Sequence, residues 1–156
     1  KYRIYNMKIK LFLLITIFLS SPTMAQQGSI TLYDNLCKSC HQNKEELFTK
    51  NTINKNNFNK TIFKMFTTYS NYKPTTAQLE NMKTLAKATA NKKLYIEITN
   101  INGNISGETN DFITIKYNNK FARTNNNFTI PKINQCTVEH NNKIYNLKTK
   151  VGTYIK

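Results

Sequence analysis

Two cysteines and a histidine at a fixed spacing form the most specific chemical feature of the chain. Cys37 and Cys40 are separated by two residues, and His41 follows the second cysteine directly. This C-x-x-C-H pattern is typical of covalent haem c attachment. The spacing suits that chemistry, because two thiols must each add to a vinyl group of one porphyrin while the adjacent imidazole reaches its iron. We therefore expect Cys37 and Cys40 to hold one covalent haem c, with His41 as its proximal ligand.

Two other interpretations of these cysteines are weaker. A thiol–disulfide redox motif is expected near a βαβ pattern, whereas this motif follows a predicted helix. A zinc site could recruit Cys136 and His140, but these residues lie roughly a hundred positions downstream and form no short knuckle pattern. Haem attachment remains the favoured prediction.

The elements that must position the motif are predicted to be helical. Apolar residues at Ile30, Leu32, Tyr33 and Leu36 predict a helix over 29–36 that ends at the first cysteine. A short polar helix or loop over 43–50 and a polar loop over 51–59 follow.

Two longer helices are expected next. Asn59 can cap one over 60–69. Thr75 and Gln78 have the spacing of a capping box, which predicts a second helix that continues to about Ala90.

The segment Leu32–His41 resembles the opening of a class I-type mono-haem cytochrome c. In that family an aromatic residue four positions before the first cysteine packs between the first and last helices, and Tyr33 holds this position. Many members also carry glycine one turn earlier; here Ser29 stands there, beside Gly28. The resemblance covers about residues 29–91. It implies a small all-α haem domain, a closing helix that crosses the first, and electron transfer as the function.

The sixth iron ligand stays open among four residues and a vacant site. Met65 is the best candidate, since it precedes the closing helix as the ligand of Met/His cytochromes does. Met82, His140 and Cys136 are the others. A thioether ligand would saturate the iron and favour electron transfer, whereas an open site would favour a haem enzyme or a gas or redox sensor. No catalytic residue is assigned, and an electron-transfer protein is favoured over an enzyme.

Residues 92–156 change from helical spacing to the alternation typical of strands. The expected strands are 94–98, 112–117, 128–133, 136–139, 144–147 and 151–155, with tight turns at Asn118-Asn119 and Asn141-Asn142. They predict a small antiparallel sheet or half-sandwich that resembles no family, and hence an α+β chain. This β segment could dock the haem domain onto a larger redox complex. Cys136 is expected to be a small buried residue.

Residues 1–25 have the features of a secretory signal peptide, with 1–6 as an extension upstream of Met7. Lys8 and Lys10 precede an apolar run over 11–19, and small residues end at Ala25. The run is too short to span a bilayer. We therefore expect an exported, periplasmic protein of a bacterium, with 26–91 as its haem domain and 92–156 as its β-rich segment.

Cleavage after Ala25 would leave a strongly basic chain. It removes four of the 23 basic residues and none of the eight acidic ones, so 19 minus eight gives a net charge of +11. Such a charge suits an acidic or membrane-bound redox partner, although scattered lysines are more typical of composition than of a dedicated patch. Nothing in the sequence resembles a nucleic-acid-binding motif.

Overall fold

The chain has a mixed α+β fold in which helices precede strands. The computed structural model describes residues 27–53 and 57–156, so the expected signal peptide over 1–25 lies outside the described residues. Within them the helices are α1 Ser29–Leu36, α2 Lys44–Leu47, α3 Lys50–Ile53, α4 Phe58–Ser70 and α5 Thr76–Ala90. The strands are β1 Tyr95–Asn102, β2 Asn104–Thr109, β3 Ile113–Tyr117, β4 Lys120–Thr124, β5 Asn127–Pro131, β6 Gln135–His140, β7 Lys143–Lys148 and β8 Gly152–Ile155. Of the helices described, none has both the length and the hydropathy to cross a bilayer.

Two of the helices match their sequence signals closely. Helix α1 spans the predicted residues and buries Ile30, Leu32 and Tyr33. Helix α5 begins with the predicted capping box: Gln78 N donates to Thr75 Oγ1 over 3.2 Å, and Thr75 N donates to Gln78 Oε1 over 2.9 Å. These bonds satisfy two backbone donors that a helix start otherwise leaves unpaired.

Helix α4 begins earlier than predicted. Asn57, rather than Asn59, holds the cap position, and Phe58 is the first helical residue. Phe58 is buried among the aromatic side chains of the helical core, with its ring centroid 6.4 Å from that of Phe48. This packing explains why the helix begins at Phe58, before the polar Asn59. The predicted loop over 51–59 was also wrong in part, because α3 extends to Ile53.

The strands form two antiparallel sheets of four strands each. Their orders are β5-β2-β1-β8 and β4-β3-β6-β7. Apolar residues from both sheets share one core cluster, so the sheets pack face to face as a sandwich. The predicted antiparallel arrangement is confirmed, but the structure forms a complete two-sheet sandwich.

Strands β2 and β4 were not predicted from the sequence. Strand β2 contains Gly107, where an added Cβ would lie 2.4 Å from the ring of Phe128, so the glycine makes room for a core side chain. It also contains Glu108, a charged residue that is nevertheless buried. Strand β4 is an edge strand whose Phe121 is exposed, so it lacks the buried alternation that identifies a strand.

Asparagine pairs close two of the hairpins, as predicted. Asn118 and Asn119, between β3 and β4, have φ values of 44° and 60°. Asn141 and Asn142, between β6 and β7, have φ values of 49° and 61°. Two consecutive positive φ values are those of a type I′ turn, which asparagine tolerates and which matches the twist of the flanking strands.

Strand β1 buries both of its faces. Ile96 and Ile98 lie in the sandwich core, while Tyr95 lies in the core cluster of the helices. Side chains alternate across a strand, so Glu97 also points to the helical side. The first sheet is therefore a middle layer, with the second sheet on one face and the helices on the other.

Two carboxylates of this middle layer cap the first helix. Glu97 and Glu108 are directly opposite on β1 and β2. Glu97 Oε2 accepts from Ser29 N over 2.8 Å, and Glu108 Oε2 accepts from Ile30 N over 2.8 Å. Thr31 N also donates to Glu108, over 3.2 Å. The sheet thus supplies the acceptors that the cap residue of α1 itself lacks.

Gly28 stands at that cap position because a side chain would collide with the carboxylate. A Cβ there would lie 2.3 Å from the carboxyl carbon of Glu108. Glycine lets Glu108 approach the backbone amides at hydrogen-bonding distance.

We predict that Gly28→Ala lowers the free energy of unfolding by about 1–3 kcal/mol, because the added methyl must displace Glu108 or the start of α1. Urea denaturation followed by circular dichroism measures this loss. Gly103→Asn is a matched control, since Gly103 has a φ of +73° and nothing within 4 Å of an added Cβ. Asparagine tolerates that conformation, so the control changes stability by less than about 0.5 kcal/mol. Equal stability of Gly28→Ala and the parent would contradict the close approach.

Candidate functional site

The C-x-x-C-H motif continues helix α1 as a tight turn. Cys37 N donates to Tyr33 O over 2.8 Å, which extends the helical bonding into the motif. Cys40 N and His41 N then both donate to Cys37 O, over 3.1 and 2.8 Å. Residues three and four apart lie on one side of such a turn. The local hydrogen bonds therefore hold the three motif residues within one turn of the chain.

Tyr33 fixes the end of this turn from within the helical core. Its side chain is 1 % exposed, and its hydroxyl donates to the backbone carbonyl of His41. Its ring lies 5.7 Å from that of Phe48, with Lys44 Nζ 5.8 Å from the ring centroid. Burial is the main reason that the pKa of Tyr33 is raised, so the phenol keeps its proton and remains a donor. The aromatic residue thus holds the backbone that carries the histidine.

A cavity of about 430 Å³ opens directly beside the motif. Six residues line it: Leu36, Cys37, Cys40, His41, Met65 and Tyr69. Met65 comes from the interior of α4, and the helix brings it opposite the motif. Both cysteines, the histidine and the favoured sixth-ligand candidate therefore share one largely apolar cavity.

Met65 also borders two further cavities. One, of about 450 Å³, is lined largely by apolar residues that include Phe48, Phe58 and Ile62. The other, of about 430 Å³, is lined by Lys60, Lys64 and other residues of α4. The methionine thus lies at the junction of an enclosed apolar region and a basic helix surface.

The other sixth-ligand candidates lie away from the motif's cavity. Met82 is fully buried in the helical core, and Cys136 is buried in the sandwich core. His140 Nε2 lies 2.8 Å from Asp111 Oδ2, and this hydrogen bond is the main reason that the pKa of Asp111 is lowered. None of the three belongs to the lining of the cavity that contains His41. Of the four candidates, Met65 alone lines it.

The two motif cysteines differ sharply in environment. Both are free thiols, but Cys37 is 2 % exposed whereas Cys40 is exposed. Burial, with a smaller effect of neighbouring Cys40, raises the pKa of the Cys37 thiol to about 11. Thiols that act in disulfide exchange have lowered pKa values instead, so this environment disfavours a thiol-redox function.

A zinc site is also disfavoured by the arrangement. Cys136 and His140 lie on β6 in the sandwich, while Cys37 and Cys40 belong to the helical layer. In the described part of the chain, no three histidine, cysteine, aspartate or glutamate side chains come together as a metal-binding group. The tetrahedral set of four ligands that structural zinc requires is therefore not assembled there.

Besides Leu36, Tyr69 is the cavity residue that the sequence did not identify as functional. It is the last residue of the helix predicted over 60–69, and it is 83 % exposed. It lies four residues after Met65, so both side chains occupy the same face of α4. That spacing was a usable signal once Met65 had been named as a candidate.

The chain matches no protein-family model, and no curated protein or solved structure is detectably similar to it. Its function must therefore be inferred from the chemistry and placement of its own residues.

We predict that Tyr33→Phe lowers the free energy of unfolding by about 1 kcal/mol, because it removes the bond to His41 and retains the packed ring. Thermal or urea unfolding measures the loss. Tyr69→Phe removes the same hydroxyl from an exposed ring and should change stability by less than about 0.5 kcal/mol. Equal losses in both variants would show that the Tyr33 hydroxyl contributes nothing specific.

Alkylation of the haem-free full chain at pH 8 should label Cys40 well before Cys37. A pKa of about 11 lies two units above the usual thiol value of 9.0, so Cys37 has about a hundredfold less reactive thiolate than an ordinary thiol. Raising the pH towards 11 should accelerate its labelling.

Trypsin cleaves after Lys38 and separates the two cysteines, so peptide mass spectrometry can follow each one. Buried Cys136, whose pKa is also raised to about 11, is an internal control for slow labelling. Equal rates at Cys37 and Cys40 would contradict the asymmetry.

Proposed function

We propose that the chain is an exported mono-haem c-type cytochrome that transfers electrons between redox partners. One observation carries the proposal: the C-x-x-C-H motif and Met65 line the same cavity. Cys37 and Cys40 would hold the haem covalently, His41 would be the proximal iron ligand and Met65 the distal one. The residues come from the turn after α1 and from α4, yet together they supply the attachment and ligand groups of a Met/His haem site.

The chemistry of the donor set fits a haem c group. Each thiol can add across one vinyl group, so that the sulfur bonds to one vinyl carbon and the proton goes to the other. Both Cys37 and Cys40 are free for this reaction. The lining adds Leu36 and Tyr69, and its described residues include no lysine, arginine, aspartate or glutamate, which suits an apolar macrocycle. When bound, haem would supply one-electron redox chemistry at iron.

The same lining favours electron transfer over catalysis. Met65 faces the cavity with a thioether, which can coordinate iron but cannot take up a proton at neutral pH. Among the described residues, no acidic side chain lines this cavity. These residues therefore supply no acid–base pair of the kind that a haem enzyme would use to activate a bound molecule. Electron exchange through the exposed rim, near Cys40 and Tyr69, is the function that these residues support best.

The helical layer is consistent with the cytochrome resemblance. Helix α5 contacts both α1 and α4, and the side chains of all three form one core cluster. Tyr33 lies in this cluster with Leu85 and Ala86 of α5. We propose that α1, α4 and α5 make up a small cytochrome c-like domain, with the motif at the carboxyl end of its first helix.

The proposed partners follow from the net charge of the chain, and the proposed location follows from the predicted signal peptide over 1–25. A mature chain with 19 basic and eight acidic residues would favour acidic redox proteins or an anionic membrane surface. Lys60 and Lys64 lie on the helix that carries Met65, so part of this charge is close to the cavity. The signal-peptide features of residues 1–25 support a location in the bacterial periplasm.

Haem attachment is tested by expressing the chain with a haem c maturation system. A pyridine haemochrome spectrum of the purified protein should show one covalent haem per chain. Cys37→Ser and Cys40→Ser combined should abolish covalent attachment, whereas Cys136→Ser, in the sandwich core, should retain it. Protein that folds in the periplasm without covalent haem would overturn the proposal.

Met65→Ala should open the sixth coordination position. We expect the reduced variant to bind CO with a large Soret change, while the parent protein shows little change at neutral pH. Met65→His should remain six-coordinate but have a lower reduction potential, since a thioether raises the potential relative to imidazole. Met82→Leu is the control, because Met82 is a core residue outside the cavity. CO binding by the parent as strong as by Met65→Ala would favour the haem enzyme or gas sensor instead.

A further inference from the structure

Glu97 and Glu108 are two buried carboxylates that the proposed haem chemistry does not use directly. Each is 4 % exposed, and they occupy directly opposite positions on β1 and β2. Both contact the amino end of α1, the helix whose other end carries the haem motif. Lone buried carboxylates are costly, so this pair requires an explanation.

The contacts of Glu97 involve neutral donors from three elements. Ser29 N of α1 and the hydroxyl of Tyr95 on β1 donate to its Oε2, over 2.8 and 2.7 Å. Asn81 Nδ2 of α5 donates to its Oε1 over 2.8 Å. These bonds give both oxygens of the Glu97 carboxyl group a hydrogen-bond donor at the amino end of α1.

The contacts of Glu108 allow either protonation state. Ile30 N and Thr31 N donate to its Oε2, over 2.8 and 3.2 Å. Its Oε1 is hydrogen-bonded to the hydroxyl of Thr31. A hydroxyl both donates and accepts, so Thr31 can donate to the carboxylate or accept a proton from the carboxylic acid.

Among the described residues, no cation forms an ion pair with either carboxyl group. The ion pairs there are Lys38–Asp34, Lys116–Glu139 and His140–Asp111, and none includes Glu97 or Glu108. In the same part of the chain, the titratable groups that interact with Glu108 are Glu97 and the phenol of Tyr95. Two neighbouring buried carboxylates repel each other when both are ionised.

Burial therefore favours a proton on Glu108. Desolvation is the largest cause of its raised pKa; the bonds from Thr31 and Ile30 oppose that rise, and the charge of Glu97 adds to it. The native state thus binds this proton more tightly than the unfolded chain does. By linkage, the contribution of Glu108 to the free energy of unfolding falls as pH rises above its ordinary value of 4.5.

We propose that Glu108, coupled to Glu97, is a proton-binding site that is linked to the oxidation state of the haem iron. The inference rests on the proposed function. Ionised Glu108 places a buried negative charge at one end of α1, and the motif lies at the other end. Helix α1 has eight residues and is about 12 Å long, so the Glu108 carboxyl lies on that length scale from the motif, and salt screens a buried charge less than an exposed one.

Reduction removes one positive charge at the iron, which weakens the stabilisation of a nearby carboxylate. Glu108 therefore takes up a proton when the iron is reduced and releases it when the iron is oxidised. The proton comes from solvent, and the electron from the redox partner. Reciprocity requires that the reduction potential falls as pH rises through the titration of Glu108. Glu108 thus acts as a positioning residue for α1 and as a modulator of the site, without contact to the iron.

The test is a pH series of reduction potentials on the holoprotein. We expect the parent potential to fall as pH rises above the ordinary glutamate value of 4.5, and Glu108→Gln to lose most of this slope. Glu80→Gln is the matched control, because Glu80 is an exposed carboxylate on α5 and should leave the slope unchanged. A parent potential independent of pH, or a slope retained in Glu108→Gln, would overturn the inference.

Carbon-13 NMR titration of the glutamate carboxyls in the full chain gives a second readout that does not depend on a variant. Glu108 should titrate above the ordinary range, and at higher pH in the ferrous than in the ferric protein. Titration at the ordinary value, or at one pH in both oxidation states, would refute the linkage. If no haem is attached, the proposed function fails on its own, while a raised midpoint in the haem-free chain would still show that Glu108 binds a proton as described.

Discussion

The amino end of helix α1 is held by two carboxylates that belong to a different part of the chain. Glu97 and Glu108 accept hydrogen bonds from the first backbone amides of the helix, and Gly28 leaves the space in which they approach. A helix of eight residues has little stability by itself, because nucleation consumes much of the hydrogen-bonding gain. The sheet supplies the missing acceptors. The position of the C-x-x-C-H motif, at the other end of this helix, therefore depends on residues about 60 to 70 positions downstream.

This dependence gives the β segment a structural role. Its first sheet packs on the sandwich core with one face and on the helices with the other, and Tyr95 belongs to the helical core. The expected boundary near residue 91 lies in the turn between α5 and β1, but packing and hydrogen bonds cross it extensively. The sandwich is thus a platform for the motif-bearing helix. Phe121 and Ile144 remain exposed on β4 and β7, which are the two edge strands of the second sheet.

The candidate site depends both on hydrogen bonds within the motif and on packing between helices that are distant in the chain. Backbone hydrogen bonds within the turn bring Cys37, Cys40 and His41 to one side, and the Tyr33 hydroxyl fixes the carbonyl that ends the turn. Packing of α4 against the helical core then brings Met65 to the lining of the same cavity. The cavity presents two thiols, an imidazole and a thioether, which is the donor set that the proposed covalent haem would need. The buried carboxyl groups of Glu97 and Glu108 lie at the far end of the same helix, where we propose that Glu108 binds a proton.

The sequence by itself determined the features that depend on neighbours in the chain. The helix before the motif, the capping box at Thr75 and the two asparagine turns follow from local spacing and backbone preference, and the structure has all of them. Local rules did not identify β2, because its Glu108 and Gly107 are unsuited to an ordinary strand. Only tertiary packing explains them: the glutamate caps a helix and the glycine admits a core ring. Tertiary structure likewise decided which of Met65, Met82, Cys136 and His140 faces the motif, since that depends on how helices and sheets pack rather than on spacing.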